Sequence, residues 1–224
     1  MAHTLSTPTQ APRSASPSHP ATRSLLAGGL VAGPLFLGAG VLQGLTRDGF
    51  DFTRNAISQL ALGDPGWIQA ANFLLTGALV IAGAIGMRRV LRGGPGGTWA
   101  PRLVGLFGAS FPVAAVFPAD AGAGFPAGAP ETASLSAHGA VHMLGGMVGY
   151  LALCAAFLVL ARSLAARGDR GWAVASRLAP VGVLAGFAGS SASVLAFTVG
   201  AGLGLAGLTA VTARLVTEVP ATHR

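Results

Sequence analysis

RDGFDFTRNAISQLALGDPGW, residues 47–67, separates two apolar runs, 25–45 and 67–87, each 21 residues long and uncharged. A membrane span needs about 20 apolar residues, whereas the apolar core of a signal peptide has about 7–15, so both runs read as spanning helices. The insert between them carries Asp48, Asp51, Arg54, Asn55, Ser58, Gln59 and Asp64. In a chain that is only 9% charged, polarity has been gathered at one place, which marks a candidate site.

The composition agrees with a membrane fold. Hydrophobic residues make up 52% of the chain, and 9% charge is far below the roughly 25% that covers a soluble domain. The formal charge of +7 comes from 14 arginines with no lysine, and these punctuate the gaps between apolar runs rather than forming one basic face. That pattern reports orientation and excludes a nucleic-acid partner; the bilayer is the partner it implies. Cys154 is the only cysteine, so there is neither an intrachain disulfide nor a CxxC metal knuckle. The Ala, Gly, Pro and Arg bias is that of a GC-rich bacterial genome and predicts the bacterial cytoplasmic membrane.

Outward from the insert, residues 1–24 are rich in Ser, Thr, Pro and Ala and read as a disordered tail. After the second run, RGGPGGTWAPR at 92–102 is a turn, and 103–118 is a short third span containing Pro112. A second polar insert, 119–136, holds Asp120, Glu131 and a run of Gly and Pro that forbids regular structure. The fourth span, 137–161, opens on His138 and His142. Residues 178–213 then carry no charge, and one helix of that length would measure about 54 Å against a core of about 30 Å. Two spans, 174–196 and 200–218, with a turn near 197–202, resolve the excess, and 219–224 is a short tail. The expected fold is all-α, a six-helix transmembrane bundle over 25–218. Twelve arginines fall on the side of the termini and only Arg47 and Arg54 on the other, so both termini are expected in the cytoplasm and both inserts outside.

At 100° per residue, 53–61 places Arg54, Asn55, Ser58 and Gln59 opposite Ala56, Ile57, Leu60 and Ala61, which predicts a short amphipathic interfacial helix in the first outer loop. Such a helix either plugs the bundle mouth or forms part of a site. His138 and His142, four apart on one helix face, suit a metal if Asp120 joins them, or else sit in interfacial water. Gln69, Asn72, Ser190, Ser191 and Ser193 fall in the outer halves of their spans, which favours a pocket open to the outside. GxxxG spacings at Gly29/Gly33, Gly145/Gly149, Gly182/Gly186 and Gly200/Gly204 predict close helix packing.

FDFTRNAISQL, GDPGWIQAANF, FPAD and HGAVHMLGG together resemble the bacterial six-helix membrane proteins of domain-of-unknown-function family 998. The resemblance spans residues 25–217 and rests on Asp51, Arg54, Ile57, Ser58, Trp67, Asn72, Phe117, Pro118, Asp120 and His142. It implies architecture and no activity. A looser similarity is to intramembrane ceramidase-like hydrolases, whose site joins a serine, an aspartate and three histidines around zinc. Ser58, Asp120, His138 and His142 would match, but a third membrane histidine and a seventh helix are missing.

The expected function is an outward-facing polar pocket of Asp51, Arg54, Ser58, Asn72, Asp120 and His142 that binds a lipid headgroup or small polar ligand, with Arg54 on an anionic group and no cofactor. One alternative is a zinc hydrolase of outer-leaflet lipid, with His138, His142 and Asp120 as ligands and Asp51 as general base. The other is a small-solute transporter.

Overall fold

The computed structural model describes residues 19–220. Six helices follow in order: α1 (His19–Thr46), α2 (Gly66–Val90), α3 (Trp99–Val116), α4 (Ala137–Ala166), α5 (Arg170–Gly189) and α6 (Val194–Val216). Each is long and apolar enough to cross a membrane. Each helix packs on its neighbours in sequence and α6 packs back on α1, so the six form a closed antiparallel ring. With six crossings, the two polar inserts lie on one face, and the α2–α3 turn, the α4–α5 turn and both ends of the described chain lie on the other.

Small residues let the helices approach closely. A Cβ on Gly83 would lie 2.8 Å from the Gly29 Cα, joining α1 to α2, and one on Gly186 would lie 2.6 Å from the Gly200 Cα, joining α5 to α6. In α3, Pro112 cannot donate to the Gly108 carbonyl. The freed carbonyl and the proline ring lie against Gly77 of α2, where a Cβ would meet Pro112 Cδ at 2.7 Å. Far from the inserts, Arg167 pairs with Glu218 and Arg214 with Asp169, which ties the α4–α5 turn to the end of α6.

Three expected assignments need correction. The tail read as disordered through residue 24 gives way to helix at His19; residues 1–18 lie outside the described residues, as do 221–224 of the C-terminal tail. Arg23 fixes this early start by donating to the Val219 carbonyl at 2.8 Å. The α5–α6 turn lies at 190–193 rather than 197–202, because Ser193 caps α6 by accepting from the Leu195 amide. Ser190, Ser191 and Ser193 therefore belong to the turn and not to a span. Finally, 53–61 is no amphipathic α-helix: turns lead into a 3-10 helix, Ile57–Ala61, whose i,i+3 pair Ile57 and Leu60 is buried together.

Candidate functional site

The two inserts fold onto each other as a roof. Asp51 Oδ1 accepts from the Thr53 amide at 2.8 Å and the Thr53 hydroxyl at 2.7 Å, while the Asp51 amide donates to Asn55 Oδ1 at 2.9 Å. The Thr53 bonds hold the Asp51 carboxyl below the ordinary carboxylate range. Thr53 in turn offers its carbonyl to the Val194 amide and the Ser193 hydroxyl, at 3.0 and 3.3 Å, which docks the first insert on the α5–α6 turn. Gln59 Nε2 reaches the carbonyls of Asp120 and Gly122 at 3.2 and 3.4 Å, and buried Asn55 donates to Gly122 at 3.5 Å. These bonds satisfy backbone groups that loops near a bilayer could not leave unpaired.

Two arginines support the roof unequally. Arg47 donates to the carbonyls of Leu60 at 3.0 Å and Leu62 at 2.7 Å, and its guanidinium stacks over the Phe125 ring. Arg54 pairs only with Glu131, and both side chains are at least half exposed. Arg47→Ala is expected to cost about 2–3 kcal/mol, the scale of a charged donor lost from carbonyls it satisfies. Arg54→Ala is expected to cost about 1 kcal/mol or less. Thermal unfolding in detergent compares the two directly.

Beneath the roof lies a cavity of about 760 Å³. Phe36, Phe73, Phe107, Phe111, Tyr150, Phe187 and Phe197 line it, with Leu37, Met143, Met147, Ala201 and Leu205. The rings pack edge to face, Phe187 on Phe197 at 4.9 Å between centroids and Phe107 on Tyr150 at 5.2 Å. Along α4 the lining runs from Gly139 to Tyr150, about 16 Å at 1.5 Å per residue, close to half of a ~30 Å hydrocarbon core. Tyr150 packs on Phe187 near the end of α5 and on Phe197 near the start of α6, and the part of α4 before it forms one edge of the cavity. Met143 and Met147, which line the cavity, stay 61% and 49% exposed along this edge.

Ser58, Gln59, Asp120 and His142 line the roof end of the cavity, and Ser110, Ser190 and Thr198 are further polar residues on its wall. Asp120 accepts from the Ser136 hydroxyl at 2.5 Å and the Ser136 amide at 3.0 Å, and the Ser136 hydroxyl accepts from the Gly139 amide as N-cap of α4. The carboxylate rests directly on Gly139, where no Cβ would fit. The Ser136 bonds, then the nearby His142 and His138, hold the Asp120 carboxyl below the ordinary carboxylate range. Because folding lowers its value, this stabilisation is complete above about pH 4 and is lost as pH falls through the folded value below that. An acid titration followed by helix content is therefore expected to be steeper at its lower end in wild type than in Asp120→Asn.

His142 Nδ1 lies 2.8 Å from the Phe117 carbonyl. A carbonyl only accepts, so Nδ1 carries a proton in this contact. His138, one turn earlier, is exposed and stacks on Phe117 with 5.5 Å between centroids.

Of the six expected ligand residues, Ser58, Asp120 and His142 line one cavity. Asp51 and Arg54 are bonded within the roof and do not line it. Asn72 is buried between helices, donating to the Phe36 carbonyl at 3.2 Å and to Gln69 Oε1 at 3.2 Å, in a polar ladder that continues to Gln43. The expected polar pocket is thus an apolar cavity with a polar lip. The zinc set is not assembled either: among the described residues no group of three or more His, Cys, Asp or Glu is placed to hold a metal, so His138, His142 and Asp120 do not converge. Gln59 and the aromatic lining were not among the expected site residues. The spacing His142, Gly146, Tyr150 along one face of α4 was the signal available for the cavity wall.

A closed ring of six apolar helices, each long enough to span a bilayer, defines a multi-pass membrane protein. The chain belongs to the family described as "Protein of unknown function (DUF998)", which matches residues 30–217. No curated protein and no solved structure matches it.

Proposed function

We propose that the protein binds a lipid-like amphiphile, its hydrocarbon chain in the cavity and its polar end at Ser58, Asp120 and His142. The observation that carries this reading is the chamber itself, about 760 Å³ lined mainly by aromatic and aliphatic side chains. That volume is in the range of roughly 300–1,000 Å³ typical of small-molecule sites, and a hydrocarbon chain would make dispersion contacts with its walls. In a bilayer the filler at hand is a hydrocarbon chain. A small polar ligand, the other half of the sequence expectation, would leave the aromatic walls unmatched.

The arginine asymmetry supports an outward-facing roof in a bacterial cytoplasmic membrane, with both termini inside. The ligand then comes from the outer leaflet. The open edge along α4 lets a chain enter sideways while its polar end stays at the interface. A solute path receives no support: past Leu205 the helices close on Phe157, Leu160, Leu208 and Val211, all buried. Native mass spectrometry of protein released from membranes tests the reading; one retained amphiphile per chain is expected, and protein carrying none even when single-chain lipid is added contradicts it.

A further inference from the structure

The lip specifies the kind of polar end, given the chain-binding reading above. We infer that the cavity selects an amphiphile whose polar end donates hydrogen bonds and carries no negative charge. The fixed charge at the lip is the Asp120 carboxylate, an acceptor. It keeps lone pairs beyond those used by Ser136. His142, which lines the cavity, has Nδ1 committed to the Phe117 carbonyl and so cannot offer that N–H to a ligand. The Ser58 hydroxyl has no partner among the described residues and can complete either role.

Among the described residues no arginine lines the cavity. Arg47 is spent on the Leu60 and Leu62 carbonyls and the Phe125 ring, Arg54 on Glu131, and neither lines the cavity. Gln59, the remaining lip amide, gives its N–H groups to the Asp120 and Gly122 carbonyls and its oxygen to the Ala56 amide. A phosphate at the lip would face the Asp120 carboxylate without an arginine to bind it. A hydroxyl or an ammonium would instead donate to Asp120. This reverses the sequence expectation of an anionic group on Arg54.

Two probes with the same chain separate the possibilities: monooleoylglycerol and oleoyl lysophosphatidate, added at equal mole fraction to the detergent-purified full chain and read by native mass spectrometry. Monooleoylglycerol is expected to be retained roughly tenfold more than the lysophosphatidate, the scale of one hydrogen bond to a charged group. In Asp120→Asn the two are expected to come within about twofold, because the like charge is gone. Oleylamine retained above both supports the same selectivity with an ammonium as donor. Lysophosphatidate retained equally or better by wild type overturns the headgroup inference and leaves chain binding intact. Retention of neither, or retention unchanged when Gly146→Phe fills the cavity, overturns the chain-binding reading itself.

Discussion

Gly146→Phe is expected to lower lipid retention by about fivefold to 150-fold while leaving the bundle as stable as wild type. Gly146 lines the cavity, and a Cβ built on it meets nothing within 4 Å. The new side chain therefore enters free space instead of a neighbouring helix. Replacing glycine inside a helix also gains about 0.5 kcal/mol of propensity. A chain already in the cavity would have to share its volume with the ring, and such overpacking costs about 1–3 kcal/mol, which is about fivefold to 150-fold in affinity. Gly38→Phe is the matching control. Gly38 is also helical with nothing within 4 Å of its added Cβ, but it is exposed on α1 and does not line the cavity. Loss of retention in Gly146→Phe but not in Gly38→Phe, with equal unfolding temperatures, assigns the ligand to the cavity. Equal retention by both refutes it.

The ring of six helices was legible because spans are set by length and the absence of charge, which are local properties. The 36 uncharged residues at 178–213 could only be two helices. Where they divide was misread because glycine has two uses in a membrane helix. In the sequence Gly200 falls both in the turn and in a GxxxG packing pair; it packs against Gly186, and the turn lies at 190–193, where Ser193 caps α6. The first insert was misread for another reason. A period of 3.6 sorts Asn55 and Gln59 onto a solvent face, yet these side chains turn inward to carbonyls more than 60 residues away. Polar residues were correctly taken as the mark of a special region; their partners lie in the second insert, and no local pattern announces them. The cavity was the least legible feature. Phe73, Phe111, Phe187 and Phe197 have the same spacing and chemistry whether they fill a core or line a chamber. Only the missing atoms between them make the difference.

Gly186→Val is expected to destabilise the bundle by about 3 kcal/mol and to lower lipid retention as well, in contrast to the clean block at Gly146. A Cβ on Gly186 would lie 2.6 Å from the Gly200 Cα and 2.6 Å from the Ala196 carbonyl oxygen, and both are backbone atoms that cannot rotate away. Helices α5 and α6 must therefore separate, which removes dispersion contacts along their whole crossing. Overpacking in a rigid interior costs about 1–3 kcal/mol, and a backbone-to-backbone crossing belongs at the top of that range. The neighbouring residues connect this packing to the cavity. Phe187 follows Gly186 and Phe197 lies one turn before Gly200, so the crossing holds both rings together in the chamber wall. Opening it moves the wall as well as the interface. Unfolding and lipid retention measured on one preparation are expected to fall together in Gly186→Val and to separate in Gly146→Phe. A Gly186→Val protein as stable as wild type would mean that the α5–α6 crossing is looser than the 2.6 Å approach requires.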